Sequence, residues 1–255
     1  AYVFPGGSLD GTDADPELMA CLGHFQATDA RRLLQEPDLT DAVALGLFVA
    51  AIRETFEEAG VLLARGSAGE TVDLSAPETA GRFAGYRLDL HEKRMTLQEM
   101  ARQEGLFFAP DLLIPYSHWI TPQVETRRFD TRFFLAKLQA GQEPVHDRVE
   151  LTDSRWLTPD LALTENAAGR MVLMPPTLKT AEELRDFSDV DRLMAAARSK
   201  PIPTILPDAF ETPEGFGIIL PHDSEYRLSG DRPRPSLSGS TRVVMENGIW
   251  STRTV

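Results

Sequence analysis

Cysteine and basic side chains are scarce in this chain of 255 residues. Cys21 is the only cysteine, so the chain can form neither an internal disulfide nor a cysteine-rich zinc site. Lysine and arginine together number 26 against 39 aspartates and glutamates, which gives a formal net charge of -13. This acidity argues against nonspecific binding to nucleic acid or membranes, which requires basic surface. No apolar run reaches the length of a membrane span, and we expect a reducing, cytoplasmic setting.

The composition that remains is that of an ordinary globular protein. Hydrophobic residues make up 42% of the chain and charged residues 25%, which is enough apolar material for a sizeable core. The length corresponds to one large domain, or to one domain with an elaborated flank. Helix and strand signals occur without strict alternation, which predicts an α+β or α/β/α architecture.

Helix signals are clearest between residues 14 and 60. Residues 14–40 predict short polar helices, and a long helix is predicted from Thr40 to Ala59 because Gly60 follows it in the position where left-handed backbone ends helices. Further helix starts are predicted at Thr96, Thr158, Thr180 and Ser188.

Strand signals are concentrated in the second half of the chain. The predicted strands are residues 112–121, residues 129–138, a short strand around Trp156, and a hairpin over residues 243–250 with Asn247-Gly248 at its turn. Residues 64–80 are predicted to form a loop that includes Pro77.

Three glutamates are spaced for one face of the long predicted helix. Glu54, Glu57 and Glu58 stand at positions i, i+3 and i+4, which share a helix face. Acids near a helix C-terminus oppose the helix dipole at roughly 0.3–1 kcal/mol each. Oxygen-rich clusters of this kind suit hard cations such as Mg²⁺ or Mn²⁺, and Arg53 can orient a neighbouring carboxylate. A solvated acidic helix end is the alternative interpretation.

The same stretch resembles the signature of the Nudix family, G-x5-E-x7-R-E-U-x-E-E-x-G-U, in which U is bulky and apolar. Residues 53–61 match its second half, and residues 4–13, FPGGSLDGTD, match its first half with Gly7 as the signature glycine. Thr55 stands at the first U position, and Asp13 stands where the family has glutamate.

A long insertion separates the two halves of this signature. Residues 14–52 lie between Asp13 and Arg53, where the family pattern has seven residues. The insertion is similar to that of peroxisomal coenzyme A diphosphatases and their bacterial relatives. Segments that resemble recurring parts of that branch are SHWITP at residues 117–122, RFDTRFF at 128–134 and PPT at 175–177.

The resemblance implies a Nudix-type α/β/α sandwich with a mixed sheet. We predict a Nudix hydrolase domain over residues 1–198, with a helical insert at about residues 14–40, and a Pro-rich C-terminal extension with a hairpin over residues 199–255. The strands that precede the FPGG segment in this family have no counterpart here. We expect further residues upstream in the natural protein, or cover of the open sheet edge by the hairpin, by residues 216–220, or by a second copy in a homodimer.

The resemblance also implies a divalent-metal-dependent hydrolase that cleaves a phosphoanhydride bond by attack of water on phosphorus. The implied ligands of Mg²⁺ or Mn²⁺ are Glu54, Glu57, Glu58 and the carbonyl of Gly7. Glu57 belongs to the implied catalytic set, and so does Arg53 as the group that orients the carboxylates. Our candidate general base is Glu150, with Glu143 second, and an ordinary surface acid is the alternative for Glu150.

The predicted substrate is a nucleotide-containing diphosphate of low molecular weight. Coenzyme A or an acyl-coenzyme A is the first choice, and ADP-ribose or a nucleotide sugar is the second. A Nudix-like binding or regulatory module without activity is the alternative from a different class.

Residues of two predicted strands are candidates for substrate binding. Trp119 and Phe129 are predicted to stack on adenine, with core packing as the alternative. Arg128 is predicted to hold a phosphate. His118 is expected to be buried and hydrogen-bonded rather than to line the pocket.

Overall fold

The computed structural model describes residues 1–145, 154–213, 215–228 and 239–254, and the chain divides into two compact units. The helical unit comprises Pro5–Pro115 and Phe134–Arg155. The sheet unit comprises Ala1–Phe4, Tyr116–Phe133 and Trp156–Val255. None of the described helices has both the length and the apolar character needed to cross a bilayer.

Helices make up most of the helical unit. Its helices are α1 (Pro16–Met19), α2 (Ala27–Leu34), α3 (Asp41–Ala59), α4 (Pro77–His91) and α5 (Leu97–Glu104), with short 3₁₀ helices at Gly11–Ala14, Ala20–Leu22 and Pro110–Leu112. Strands β1 (Ala64–Gly66) and β2 (Leu106–Phe108) form an antiparallel pair. The prediction of short helices within the insert is confirmed by α1 and α2.

Helix α3 has the predicted bounds because both of its ends are marked in the sequence. The Thr40 side chain accepts a hydrogen bond from the Val43 N–H, which satisfies one donor of the first turn. At the other end Gly60 adopts φ 69°, a left-handed conformation, and its N–H donates to the Phe56 carbonyl. Phe48 and Phe56 are fully buried along the helix, and each such side chain contributes about 1.5–3 kcal/mol through burial.

The core of the helical unit forms around α3. Its fully buried large side chains include Leu18, Leu34, Phe48, Ile52, Phe56, Leu62, Leu63 and Met100. These residues come from the insert, from α3, from the chain that follows it and from α5. The insert therefore packs as part of this core.

Helix α4 was missed by the sequence prediction. Pro77, assigned to a loop, is the first residue of a helix of 15 residues, a position that proline favours. Gly81 and Gly85 within it lower the helix propensity, and no side chain caps its N-terminus. The buried residues Phe83 and Tyr86, at helical spacing, carried the signal that would have revealed it.

The sheet unit contains a four-stranded antiparallel sheet and part of a three-stranded one. The first has the order β6 (Asp208–Thr212), β7 (Gly215–Ile219), β8 (Arg242–Glu246), β9 (Ile249–Arg253). The second has the order β4 (Asp130–Ala136), β3 (Leu113–Ile120), β5 (Thr204–Ile205), and β3 and β5 are parallel. The helices of this unit are α6 (Pro159–Ala167), α7 (Pro175–Leu184) and α8 (Val190–Ala197). The α+β class is confirmed.

The C-terminal hairpin forms as predicted. Asn247 and Gly248 have φ 52° and 78° between β8 and β9, the positive values that the favoured two-residue turn requires. Strand β8 also pairs with β7, so the hairpin and residues 216–219 lie in one sheet. Tyr2 forms an isolated parallel bridge with Leu173, so neither the hairpin nor residues 216–220 provides the pairing partner of Tyr2.

Three local predictions in the sheet unit are wrong. Trp156 lies outside any strand and is 74% exposed, because Ser154, Arg155, Leu157 and Thr158 around it do not alternate between polar and apolar side chains as a half-buried strand does. Helix α7 begins at Pro175, so Thr180 lies inside it rather than at its start. Helix α8 is capped by the side chain of Asp189 rather than Ser188, since either residue type can accept the capping hydrogen bond.

A buried ion pair supports the sheet unit and should make it sensitive to acid. Arg242 donates from Nε and Nη2 to both carboxylate oxygens of Asp223 at 2.9 and 3.1 Å, and the Asp223 side chain is buried. These hydrogen bonds are the main cause that lowers the pKa of Asp223. A carboxyl whose pKa is lowered by folding stabilises the fold above its unfolded pKa, near 3.9, and loses this contribution as the pH falls further.

We therefore expect Asp223→Asn to lower the free energy of unfolding by about 1–3 kcal/mol at pH 7. The difference from the wild type should shrink as the pH falls below about 4, because the carboxyl then takes up a proton in the unfolded chain while the ion pair still keeps it ionised in the folded protein. Urea unfolding at several pH values measures it, with Glu211→Gln on an exposed site of β6 as the control. A difference that stays constant from pH 7 to pH 3 would contradict the assignment.

Candidate active site

The glycine-containing segment at the chain start lies directly on the acidic face of α3. A Cβ atom added to Gly7 would come within 2.2 Å of Oε1 of Glu54, so a side chain at this position would displace the Glu54 carboxylate. The N–H of Gly6 donates to Oε2 of Glu58 at 3.0 Å. Gly7 therefore lies against the acidic helix even though residues 14–52 separate Asp13 from Arg53.

Arg53 connects the acids of this site to one another. Its Nε and Nη2 atoms donate to the two carboxylate oxygens of Asp13 at 2.8 and 2.9 Å. Its Nη1 atom donates to Glu54 at 2.7 Å and to Glu57 at 3.4 Å, and Nη2 also donates to the carbonyl of Ser8. Arg53 therefore contacts Asp13, Glu54 and Glu57 at once, and its role in orienting metal ligands stays a prediction.

Asp13 is the buried partner that holds Arg53 in place. Its side chain is 0% exposed, and Oδ2 also accepts the N–H of Asp10 at 2.8 Å. The insertion between Asp13 and Arg53 therefore leaves the ion pair intact. Asp13 thus forms an ion pair with Arg53 from the position where the family signature has glutamate.

Burial and the charges of the site shift the pKa values of Arg53 and Glu57. Burial alone would lower the pKa of Arg53, but the hydrogen bonds and charges of Asp13 and Glu54 raise it overall, so Arg53 stays positively charged. Burial is the main cause that raises the pKa of Glu57, and the charge of Glu54 adds to it despite the opposing effect of Arg53. The site thus carries negative charge that the protein only partly neutralises.

The donor types at this site fit a hard divalent cation, because they are carboxylate oxygens beside a closely approaching backbone. Within the described ranges, however, no group of three or more His, Cys, Asp or Glu side chains is arranged as a ligand set. The physical reason is that Arg53 is hydrogen-bonded to both Glu54 and Glu57, while Glu58 accepts from Gly6. The metal ligands stay a prediction.

Arg87, which no sequence pattern indicated, contacts the end of α3. From α4, its Nη2 and Nε atoms donate to the carbonyl of Glu57 at 2.9 and 3.3 Å. The N–H of Val145 donates to the neighbouring carbonyl of Ala59 at 2.9 Å. The residues in these contacts are far apart in the sequence. Only the helical spacing of the buried residues near Arg87 could have indicated that Arg87 faces the core.

The predicted substrate-binding residues lie in the sheet unit. Trp119 is buried in an apolar cluster, which favours the alternative interpretation of a core side chain over adenine stacking. Phe129 is 53% exposed, and the Arg127 guanidinium lies 4.9 Å from its ring centre. Arg128 donates to the carbonyl of Thr121. Phosphate binding by Arg128 and stacking by Phe129 stay predictions.

The remaining predicted residues divide into one that is confirmed and two that stay predictions. His118 is buried, and its Nε2 atom lies 2.6 Å from Oδ1 of Asp130, as expected for a hydrogen-bonded histidine. Glu150, the candidate general base, lies outside the described residues. Glu143, the second candidate, is exposed.

Comparisons with known proteins agree on one family. A family model described as NUDT19 Nudix domain matches residues 1–184. The acyl-coenzyme A diphosphatase NUDT19 of Xenopus laevis is 24% identical, with 96% of this chain and 70% of that protein aligned. Its counterpart from Homo sapiens is 26% identical, with 97% of this chain and 74% of that protein aligned. The crystal structure of a NUDIX hydrolase from Alicyclobacillus acidocaldarius superposes with a TM-score of 0.60 at 28% identity, covering 76% of this chain and 79% of that one.

Proposed function

This chain belongs to the Nudix family, in the group described as NUDT19 Nudix domain, and from this premise we propose that it is a metal-dependent diphosphatase of coenzyme A or acyl-coenzyme A. The family and the α+β Nudix fold make the chain a Nudix hydrolase. The substrate class is supported by relatives named acyl-coenzyme A diphosphatase that align with 96% and 97% of the chain.

The observation that carries the proposal is the complete acidic face of α3 with Gly7 against it. Glu54, Glu57 and Glu58 share this face, and a side chain at Gly7 would displace the Glu54 carboxylate. A binding module that had lost activity would have no need for three partly or fully buried acids whose charges repel one another. An anionic diphosphate is repelled by a protein of net negative charge, and a cation bound at this acidic face would overcome that repulsion.

In the proposed mechanism Glu54, Glu57, Glu58 and the carbonyl of Gly7 hold Mg²⁺ or Mn²⁺. When bound, the cation polarises the phosphoryl oxygens and lowers the pKa of the attacking water. Arg53 keeps the carboxylates in position through its contacts with Asp13. For coenzyme A, the water oxygen bonds to phosphorus as the bridging phosphoanhydride bond breaks, and the products are phosphopantetheine and adenosine 3′,5′-bisphosphate.

The general base, the substrate contacts and the domain boundary belong to the proposal as well. We assign the general base to Glu150, an acid that stands six residues before Trp156 in the sequence. Arg128 and Phe129 are assigned to phosphate and adenine. We place the catalytic domain in residues 1–198, although the compact units divide the chain along different lines.

A turnover screen tests the substrate and the metal together. We expect the purified protein to release adenosine 3′,5′-bisphosphate from coenzyme A and acetyl-coenzyme A in the presence of Mg²⁺ or Mn²⁺, and to lose this activity with excess chelator. Mass spectrometry of the products identifies the bond that is cut. In ¹⁸O-labelled water the label should appear in a product phosphate, because water attacks phosphorus.

The same screen contains the outcomes that would contradict the proposal. Faster turnover of ADP-ribose or a nucleotide sugar than of coenzyme A would assign the enzyme to the second substrate class. Binding of these compounds with no hydrolysis at any metal concentration would identify a binding module.

A further inference from the structure

The end of α3 is capped from outside the helix. The last four carbonyls of a helix have no partners within it and must be satisfied by other groups. Here the Phe56 carbonyl accepts from Gly60, and the Ala59 carbonyl accepts from Val145. The carbonyl of Glu57 is satisfied by a side chain, that of Arg87 in α4.

Arg87 is well placed to fix this carbonyl because α4 is itself anchored. Phe83 and Tyr86, in the turn before Arg87, are buried. The ring of Phe83 meets the ring of Phe56 edge-on at 6.3 Å between centres. Arg87 therefore projects from a helix that packs against the same turn of α3 whose carbonyl it binds.

The contact lies in the turn that carries the acids. Arg87 binds the backbone of Glu57 itself, and its Nη1 atom would lie 2.9 Å from a Cβ atom added at Gly60. The guanidinium also places positive charge at the negative end of the helix dipole, where Glu57 and Glu58 add further negative charge. A change at Arg87 would thus alter the direction in which the Glu57 side chain leaves the backbone.

We propose that Arg87 is a positioning residue for the acids of α3: by holding the Glu57 carbonyl it fixes the turn from which Glu57 and Glu58 reach the metal. The assignment of the metal rests on the proposed function, whereas the backbone contact does not. Arg87 acts through Glu57, so it should affect metal binding and the chemical step more than substrate affinity.

The test compares Arg87→Met with Arg82→Met. Arg82 lies on the same helix and pairs with Glu104, away from α3, so both variants lose one arginine from α4. Arg87→Lys, which keeps the charge but loses the planar pair of donors, gives the rescue series. The measurements are Mn²⁺ affinity by calorimetry, kcat and KM for coenzyme A, melting temperature, and hydrogen exchange of peptides that cover residues 53–61.

For Arg87→Met we expect Mn²⁺ affinity and kcat to fall by about 10–100-fold, the usual effect of losing a group that orients ligands. KM should stay within about twofold, and amides at the end of α3 should exchange about fivefold faster. Arg87→Lys should lie between this variant and the wild type, and Arg82→Met should match the wild type in metal affinity, kcat and exchange.

Equal exchange over residues 53–61 in the two methionine variants would overturn the inference, as would equal Mn²⁺ affinity and kcat. If Arg87→Met fails to fold, the same comparison is made with Arg87→Lys, and a variant indistinguishable from Arg82→Met contradicts the role. If the wild type neither binds Mn²⁺ nor hydrolyses coenzyme A, the proposed function fails, and the exchange comparison still decides whether Arg87 holds the end of α3.

Discussion

Glu57→Gln is expected to lower turnover by about 10²–10³-fold while the protein stays folded. The change keeps the size of the side chain but removes the charge of a proposed metal ligand, which corresponds to about 3–4 kcal/mol of lost transition-state stabilisation. Burial and the charge of Glu54 raise the pKa of Glu57, so the ionised form is disfavoured in the folded protein. The melting temperature in metal-free buffer should therefore be equal to or above that of the wild type.

The matched control for this variant is Asp41→Asn. Asp41 stands in the first turn of the same helix, so both variants remove one negative charge from α3. Rates are measured with coenzyme A at saturating Mg²⁺, and folding is followed by circular dichroism. Turnover of Glu57→Gln within a few-fold of Asp41→Asn would remove Glu57 from the catalytic site.

The acidic face could be predicted because it is local. Thr40 and Gly60 mark the ends of α3, and the spacing of Glu54, Glu57 and Glu58 then fixes their common face. The contact of Gly7 with this face joins residues that are far apart in the sequence. It could be predicted only because the family signature contains both segments.

Other parts of the site depend on packing that spacing does not encode. Arg87 contacts Glu57 from α4, a helix that was not predicted because Gly81 and Gly85 lower its helix propensity. The burial of Trp119 could not be predicted from its strand alone, since a β-strand exposes or buries an aromatic side chain according to what packs on it. Its burial follows from a cluster that includes Leu173 and Trp250, both distant in sequence.

Replacing Asp13 by alanine is expected to give the largest loss of stability, about 3–5 kcal/mol, the cost of removing one partner of a buried ion pair. Asp13 is wholly buried, and the Arg53 side chain is only 15% exposed. The variant leaves the Arg53 guanidinium without its two hydrogen bonds to Asp13 and the Asp10 N–H without its acceptor. Activity should fall too, because Arg53 no longer has a fixed position from which to orient Glu54.

The chain provides a matched control in Asp111, which binds Arg65 through two hydrogen bonds of 2.7 Å at the surface. Its side chain is 58% exposed, so Asp111→Ala should cost less than about 1 kcal/mol. Urea unfolding measures both variants. A cost for Asp13→Ala no greater than that for Asp111→Ala would show that the buried pair does not hold the site together.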